Sequence, residues 1–116
     1  MGELILRTSR GTIVRKPTLN NIEAVLEALP RDAHVIIERE GEGSLTTRYF
    51  QVWLRPDGTY QVEYRDGSAD EHYQSRTISR VKAANALASW AADTEGAGLW
   101  RSGFDWTPIG QWFTQD

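Results

Sequence analysis

The stretch from Arg48 to Arg65 constrains the fold more than any other. Phe50, Val52 and Leu54 fall on one face of an extended segment, and Tyr49, Gln51 and Trp53 fall on the other. Pro56-Asp57-Gly58-Thr59 then supplies a tight turn, and Tyr60, Val62 and Tyr64 alternate with Gln61, Glu63 and Arg65. A period of two, interrupted by turn chemistry, is an antiparallel hairpin. Asp66-Gly67-Ser68 marks a second turn before a further strand, His72 to Ile78, and Ala33 to Glu40 reads as an earlier one.

Helical periodicity brackets this meander. Leu19, Ile22, Val25, Leu26 and Leu29 recur at spacings of three and four, with Thr18 placed as N-cap and Pro30 as the stop. Ser79 caps a second helix whose Val81, Ala84, Leu87, Ala88 and Ala91 form a face of small residues, ending before Gly96-Ala97-Gly98. Residues 3–7 and 12–15 are brief extended segments around Gly11, and 99–109 reads as a turn followed by a short strand or an irregular stretch pinned by its aromatics. The expectation is one α+β domain over residues 1–116, a two-layer structure. Its antiparallel meander sheet has about four or five strands, with two helices packed on one face.

Length and composition narrow the function. A chain of 116 residues with 40% apolar and 25% charged residues is a globular domain with room for a single core. The absence of cysteine removes disulfides, thiolate nucleophiles and Cys-based metal sites. No apolar run approaches the length that crosses a bilayer, and the start carries no signal-peptide pattern, so the expected setting is cytoplasmic without membrane association. A net charge of −3 and the lack of a Lys/Arg block argue against direct nucleic-acid binding.

No catalytic, cofactor or metal motif stands out. His34 and His72 are the only imidazoles, and His72 follows Asp70-Glu71, either of which can pair with it as an acid-base couple. Asp57, Asp66, Asp70 and Glu71 cluster in meander turns without the dense spacing of a calcium loop, and Asp-Gly is ordinary turn chemistry. The face of the sheet opposite the helices is the alternative site. It is expected to hold Tyr49, Gln51, Trp53, Gln61, Glu63 and Arg65, joined there by Tyr73, unless the C-terminal segment covers Tyr49 and Trp53.

Three stretches taken together resemble a known family. They are Gly58-Thr59-Tyr60-Gln61-Val62-Glu63-Tyr64-Arg65-Asp66-Gly67, His72-Tyr73-Gln74-Ser75-Arg76-Thr77, and Trp100-Arg101-Ser102-Gly103-Phe104-Asp105-Trp106 after a helix holding Val81 and Trp90. This pattern resembles the Imm1 family of immunity proteins of bacterial polymorphic toxin systems, over roughly residues 48–109. The resemblance implies a small cytoplasmic α+β protein without catalytic activity or cofactor, which binds and blocks a cognate toxin domain, commonly one attacking nucleic acid. The surface expected to face such a basic partner comprises Glu63, Asp66, Asp70 and Glu71, with Trp53 and Tyr73 as aromatic anchors. Two other classes stay open. One is a general protein-interaction module, and the other is a small hydrolase or nuclease using His72 with Asp70 or Glu71.

Overall fold

The computed structural model describes residues 4–39, 48–66, 72–92, 99–101 and 104–108. Its elements are β1 (Leu4–Thr8), β2 (Ile13–Arg15), α1 (Leu19–Ala28), β3 (Ala33–Arg39), β4 (Arg48–Leu54), β5 (Tyr60–Asp66), β6 (His72–Thr77), α2 (Arg80–Ala92), a 3-10 turn (Leu99–Arg101) and β7 (Thr107–Pro108). The strands form one sheet in the order β2-β1-β3-β4-β5-β6-β7, antiparallel throughout.

The α+β expectation holds, but the sheet has seven strands rather than four or five. The additions are the short pieces. β1 and β2 pair about Gly11, whose φ of 95° suits a residue without Cβ, and β7 adds two residues beside β6. Strands of two, three and five residues contain too little alternation to register clearly as a period.

Local chemistry explains the helix ends. Thr18 Oγ1 accepts from the Asn21 backbone N–H at 3.2 Å, and Asn21 Oδ1 accepts from the Thr18 N–H at 2.9 Å, a reciprocal capping box. Ser79 Oγ accepts from the Lys82 N–H at 3.1 Å, capping α2 as its sequence position predicts. α1 buries Ile22 and Leu26 but leaves Leu19 half exposed. α2 buries Ala83, Ala84, Ala86, Leu87, Trp90 and Ala91. Val81, expected on the packed face, is 60% exposed, because alanines all round this helix let it turn a different side to the sheet.

Register sorts the sheet into two unlike faces. On one, Leu6, Ile37, Phe50, Tyr64 and Tyr73 align across the strands, and Val35, Val52, Val62 and Ser75 form the next row. These apolar rows join the buried residues of both helices in one core. The C-terminal aromatics close it: Trp100 and Trp106 stand edge-on to Tyr64 at 4.6 and 4.8 Å, and Phe50 meets Trp90, Trp100 and Trp106. Burying such rings contributes strongly in a domain this small.

Candidate functional site

The opposite face is polar. Its cross-strand rows are Arg15, Ile5, Glu38, Tyr49, Arg65 and His72, then Ile13, Arg7, Ile36, Gln51, Glu63, Gln74 and Thr107, then His34, Trp53, Gln61 and Arg76. The described C-terminal residues pack on Phe50 and Tyr64, on the helix side, so they do not cover Tyr49 and Trp53. Six neighbouring strands at about 4.8 Å spacing span roughly 24 Å, and within that span Ile5, Gln61 and Gln74 are buried while Trp53 and His34 stay accessible.

Three of the sequence-predicted residues find clear places. Trp53 lies on this face, half buried, with its Nε1–H donating to Asp32 Oδ1 at 3.2 Å and the Arg55 guanidinium 5.0 Å from the ring centroid. Both contacts hold the indole in one orientation, as an interface anchor requires. Glu63 is also here, but its oxygens are engaged within the protein: Oε2 accepts from Gln61 Nε2 at 3.1 Å, and Oε1 lies 3.4 Å from His72 Nε2. Tyr73 is on the other face. It sits opposite Tyr64 in register and stacks on it at 5.3 Å, so it cannot act with Trp53 in a single flat contact, and the expectation that it joins them is corrected.

The remaining acids contribute less to the picture. Asp66 ends β5 opposite Arg48, its side chain outside what is described, and Asp70 and Glu71 lie outside the described residues. Among the described residues His72 meets Glu63 and Tyr49.

This grouping is the chief addition to the sequence reading. Tyr49 Oη and His72 Nε2 are 3.0 Å apart, with the rings edge-to-face at 5.7 Å, so phenol, imidazole and carboxylate converge on one ring nitrogen. The Tyr49 phenol is held above its ordinary value of 10.0, by burial first and the Glu63 charge second, against the opposing pull of Arg65. Beside it, Arg55 Nη1 donates to Gln61 Oε1 at 2.8 Å, and Gln61 Nε2 donates to Gln74 Oε1 at 2.6 Å. Gln61 and Gln74 are 5% and 1% exposed, unusual burial for glutamine on a face that carries no helix.

Satisfaction of this network is incomplete. Arg55 Nε, Arg65 Nε and Gln74 Nε2 are buried without a hydrogen-bond partner, each an omission of about 1–3 kcal/mol. Among the described residues no three His, Asp or Glu side chains group as a metal site. On the helix side, one groove of about 500 Å³ is lined by residues such as Leu4, Leu19, Ile22 and Ala88, and another of about 250 Å³ by Glu23, Glu27, Arg80, Val81 and Ala84. Neither groove pairs a nucleophile with a base.

Fold and site together define a two-layer α+β domain that displays a polar, aromatic-bearing sheet face. Comparison with protein-family models, curated proteins and solved structures finds no match. No helix among the described residues is long and apolar enough to cross a membrane.

Proposed function

We propose that the chain is a non-enzymatic immunity protein of the cytoplasm, which neutralises a toxin domain acting on nucleic acid by docking it on the helix-free face of the sheet. The observation that carries this reading is Trp53, a large aromatic in the middle strand of a broad face, braced from two sides by Asp32 and Arg55. A rigid aromatic anchor within a polar surround is the anatomy of a protein-binding surface. The sequence resemblance supplies the identity of the partner.

The test is whether an adjacent gene encodes a toxin-like domain and, where it does, co-expression of the chain with that domain. The intact chain should restore growth and co-purify with that domain. Trp53→Ala should weaken the complex by at least tenfold, in line with loss of about 2 kcal/mol at an aromatic hot spot. Wild-type protection by Trp53→Ala would move the docking surface elsewhere, and absence of any such complex would favour a general interaction module.

One observation keeps an enzymatic reading in view: the convergence of Tyr49, Glu63 and His72, an acid-base trio of the kind hydrolases use. On that reading His72→Ala would abolish a hydrolytic or nucleolytic activity of the purified chain while leaving it folded. On the immunity reading the purified chain has no such activity to lose.

A further inference from the structure

We propose that the outer side of the helix layer pairs with a second copy of the chain. The result is a weak two-fold dimer in which the start of α2 on each copy seats in the groove at the end of α2 on the other. This goes beyond the docking reading and uses the opposite side of the molecule. The two helices run antiparallel: Glu27, late in α1, lies 3.7 Å from Arg80, early in α2, whereas Leu19 and Ile22, early in α1, share a groove with Ala88 and Ala92, late in α2. Their outer seam therefore has two unlike ends.

One end is a knob. Ile78 and Val81 are 86% and 60% exposed and flank the Ser79 cap, three residues apart. A residue placed like Ile78, just before an N-cap, often packs on the fourth helical residue, but that is Ala83, which is turned into the core. Both side chains are β-branched and stiff, so they lose little freedom on being covered. The other end is a hole. It is the groove of about 500 Å³ whose lining includes Leu4, Pro17, Leu19, Ile22, Ala88 and Ala92. Between the two ends the seam carries Ala84 and Asn85, small enough to let two helix axes approach to about 8 Å.

A knob and a hole on one face make that face complementary to itself. Their centres lie about ten residues apart along α2, or roughly 15 Å, so a two-fold axis crossing the helices at Asn85 brings each knob over the other copy's hole. The charges agree at the helix ends. α1 has no acid in its first turn and α2 has no base in its last, so at the hole both helices lack the charge that their dipoles favour. The axis carries Glu27 to the start of the other copy's α1 and Arg80 to the end of its α2. Glu23 is the exception, since at mid-helix it approaches its own counterpart. A face two helices wide and about 20 Å long offers roughly 400 Å² on each copy, against about 800 Å² in a stable interface, so the dimer is a weak one.

Sedimentation equilibrium of the full chain, up to about 1 mM, should show monomer and dimer exchanging with a dissociation constant on the order of 0.1 mM. Val81→Glu, at an exposed position, should weaken the dimer at least tenfold with an unchanged circular-dichroism spectrum. Glu23→Gln, which removes the one like-charge approach, should tighten it several-fold. The chain contains no cysteine, so Asn85→Cys beside the axis should give a disulfide-linked dimer under mild oxidation, and His34→Cys, exposed on the helix-free face, should not. A chain that stays monomeric at the highest concentration, a dimer that Val81→Glu leaves intact, or equal cross-linking through the two cysteines would overturn the proposal. The first outcome would leave the seam to a different protein, and the other two would place self-association elsewhere.

Discussion

Tyr64 carries the closest ring contacts between the C-terminal segment and the sheet, and replacing it by leucine tests how that joint is held. Its ring meets Trp100 at 4.6 Å and Trp106 at 4.8 Å, both edge-on, and stacks on Tyr73 at 5.3 Å. The Arg101 guanidinium adds a contact at 5.2 Å. Each aromatic pair contributes about 0.5–1.5 kcal/mol beyond its buried area, and leucine retains much of that area. Trp100 and Trp106 also touch each other at 6.1 Å, so the three pairs are not independent and their sum overcounts. The expected loss for Tyr64→Leu is about 2–4 kcal/mol, a large share of the roughly 5–15 kcal/mol that holds a domain together. Urea denaturation followed by tryptophan fluorescence measures it as a lower midpoint at constant slope. Tyr64→Phe keeps all three ring contacts and should cost only about 0.5–1.5 kcal/mol for the hydroxyl. A leucine variant losing less than about 1 kcal/mol, or a phenylalanine variant losing as much as leucine, would refute the account of the joint as a ring cluster.

Two further outcomes follow from the local chemistry. Thr18→Ala removes half of the reciprocal cap of α1 and should lower stability by about 1 kcal/mol in the same assay, with Thr18→Ser close to wild type. Tyr49, held above 10.0 chiefly by burial, keeps its proton more tightly folded than unfolded; its contribution to stability is present below that value and declines as pH rises through the folded pKa. An ultraviolet titration should therefore show one of the four tyrosines ionising late by this route, and Tyr49→Phe should remove that late step.

Legibility in the sequence tracked how much apolar contrast each segment carries. β4 and β5 were readable because Phe50, Val52 and Leu54, then Tyr60, Val62 and Tyr64, set one face apart from the other. α1 was readable from its stripe and from Thr18 and Pro30 at its ends. β6 was visible as a strand, but its face was not. Tyr73 is the only strongly apolar residue in His72–Thr77, so alternation says that the faces differ without saying which one meets the core. Pairing with Tyr64 decides that, and pairing is long-range information. α2 was visible as a helix through its alanines, and for the same reason its buried side was not, since alanine is compatible with either. The site was legible in part. Trp53 and Glu63 were found by parity, whereas the convergence of Tyr49, Glu63 and His72 needs three strands in register, and spacing along the chain offers no sign of it.

The charge of the chain and the charge of the site point in different directions, and the distinction matters for how a partner is held. The net charge of −3 belongs to the molecule as a whole. Exposed acids among the described residues include Glu23, Glu27, Asp32, Asp57 and Asp105, which sit on α1, in turns and near the C-terminal strand, while the rows of the helix-free face hold more arginine than glutamate. Beyond a Debye length of about 8 Å at physiological salt these charges are screened, so overall acidity governs approach more than contact. Contact is governed by the groups that lose water on docking, and on this face the large side chain held ready for that is Trp53. An acidic chain can therefore draw in a basic partner and still hold it through an aromatic anchor among arginines. That combination suits a protein partner whose own surface mixes signs, and it fits a polyanion poorly, because nucleic acid would meet the arginines of this face while the rest of the molecule repelled it.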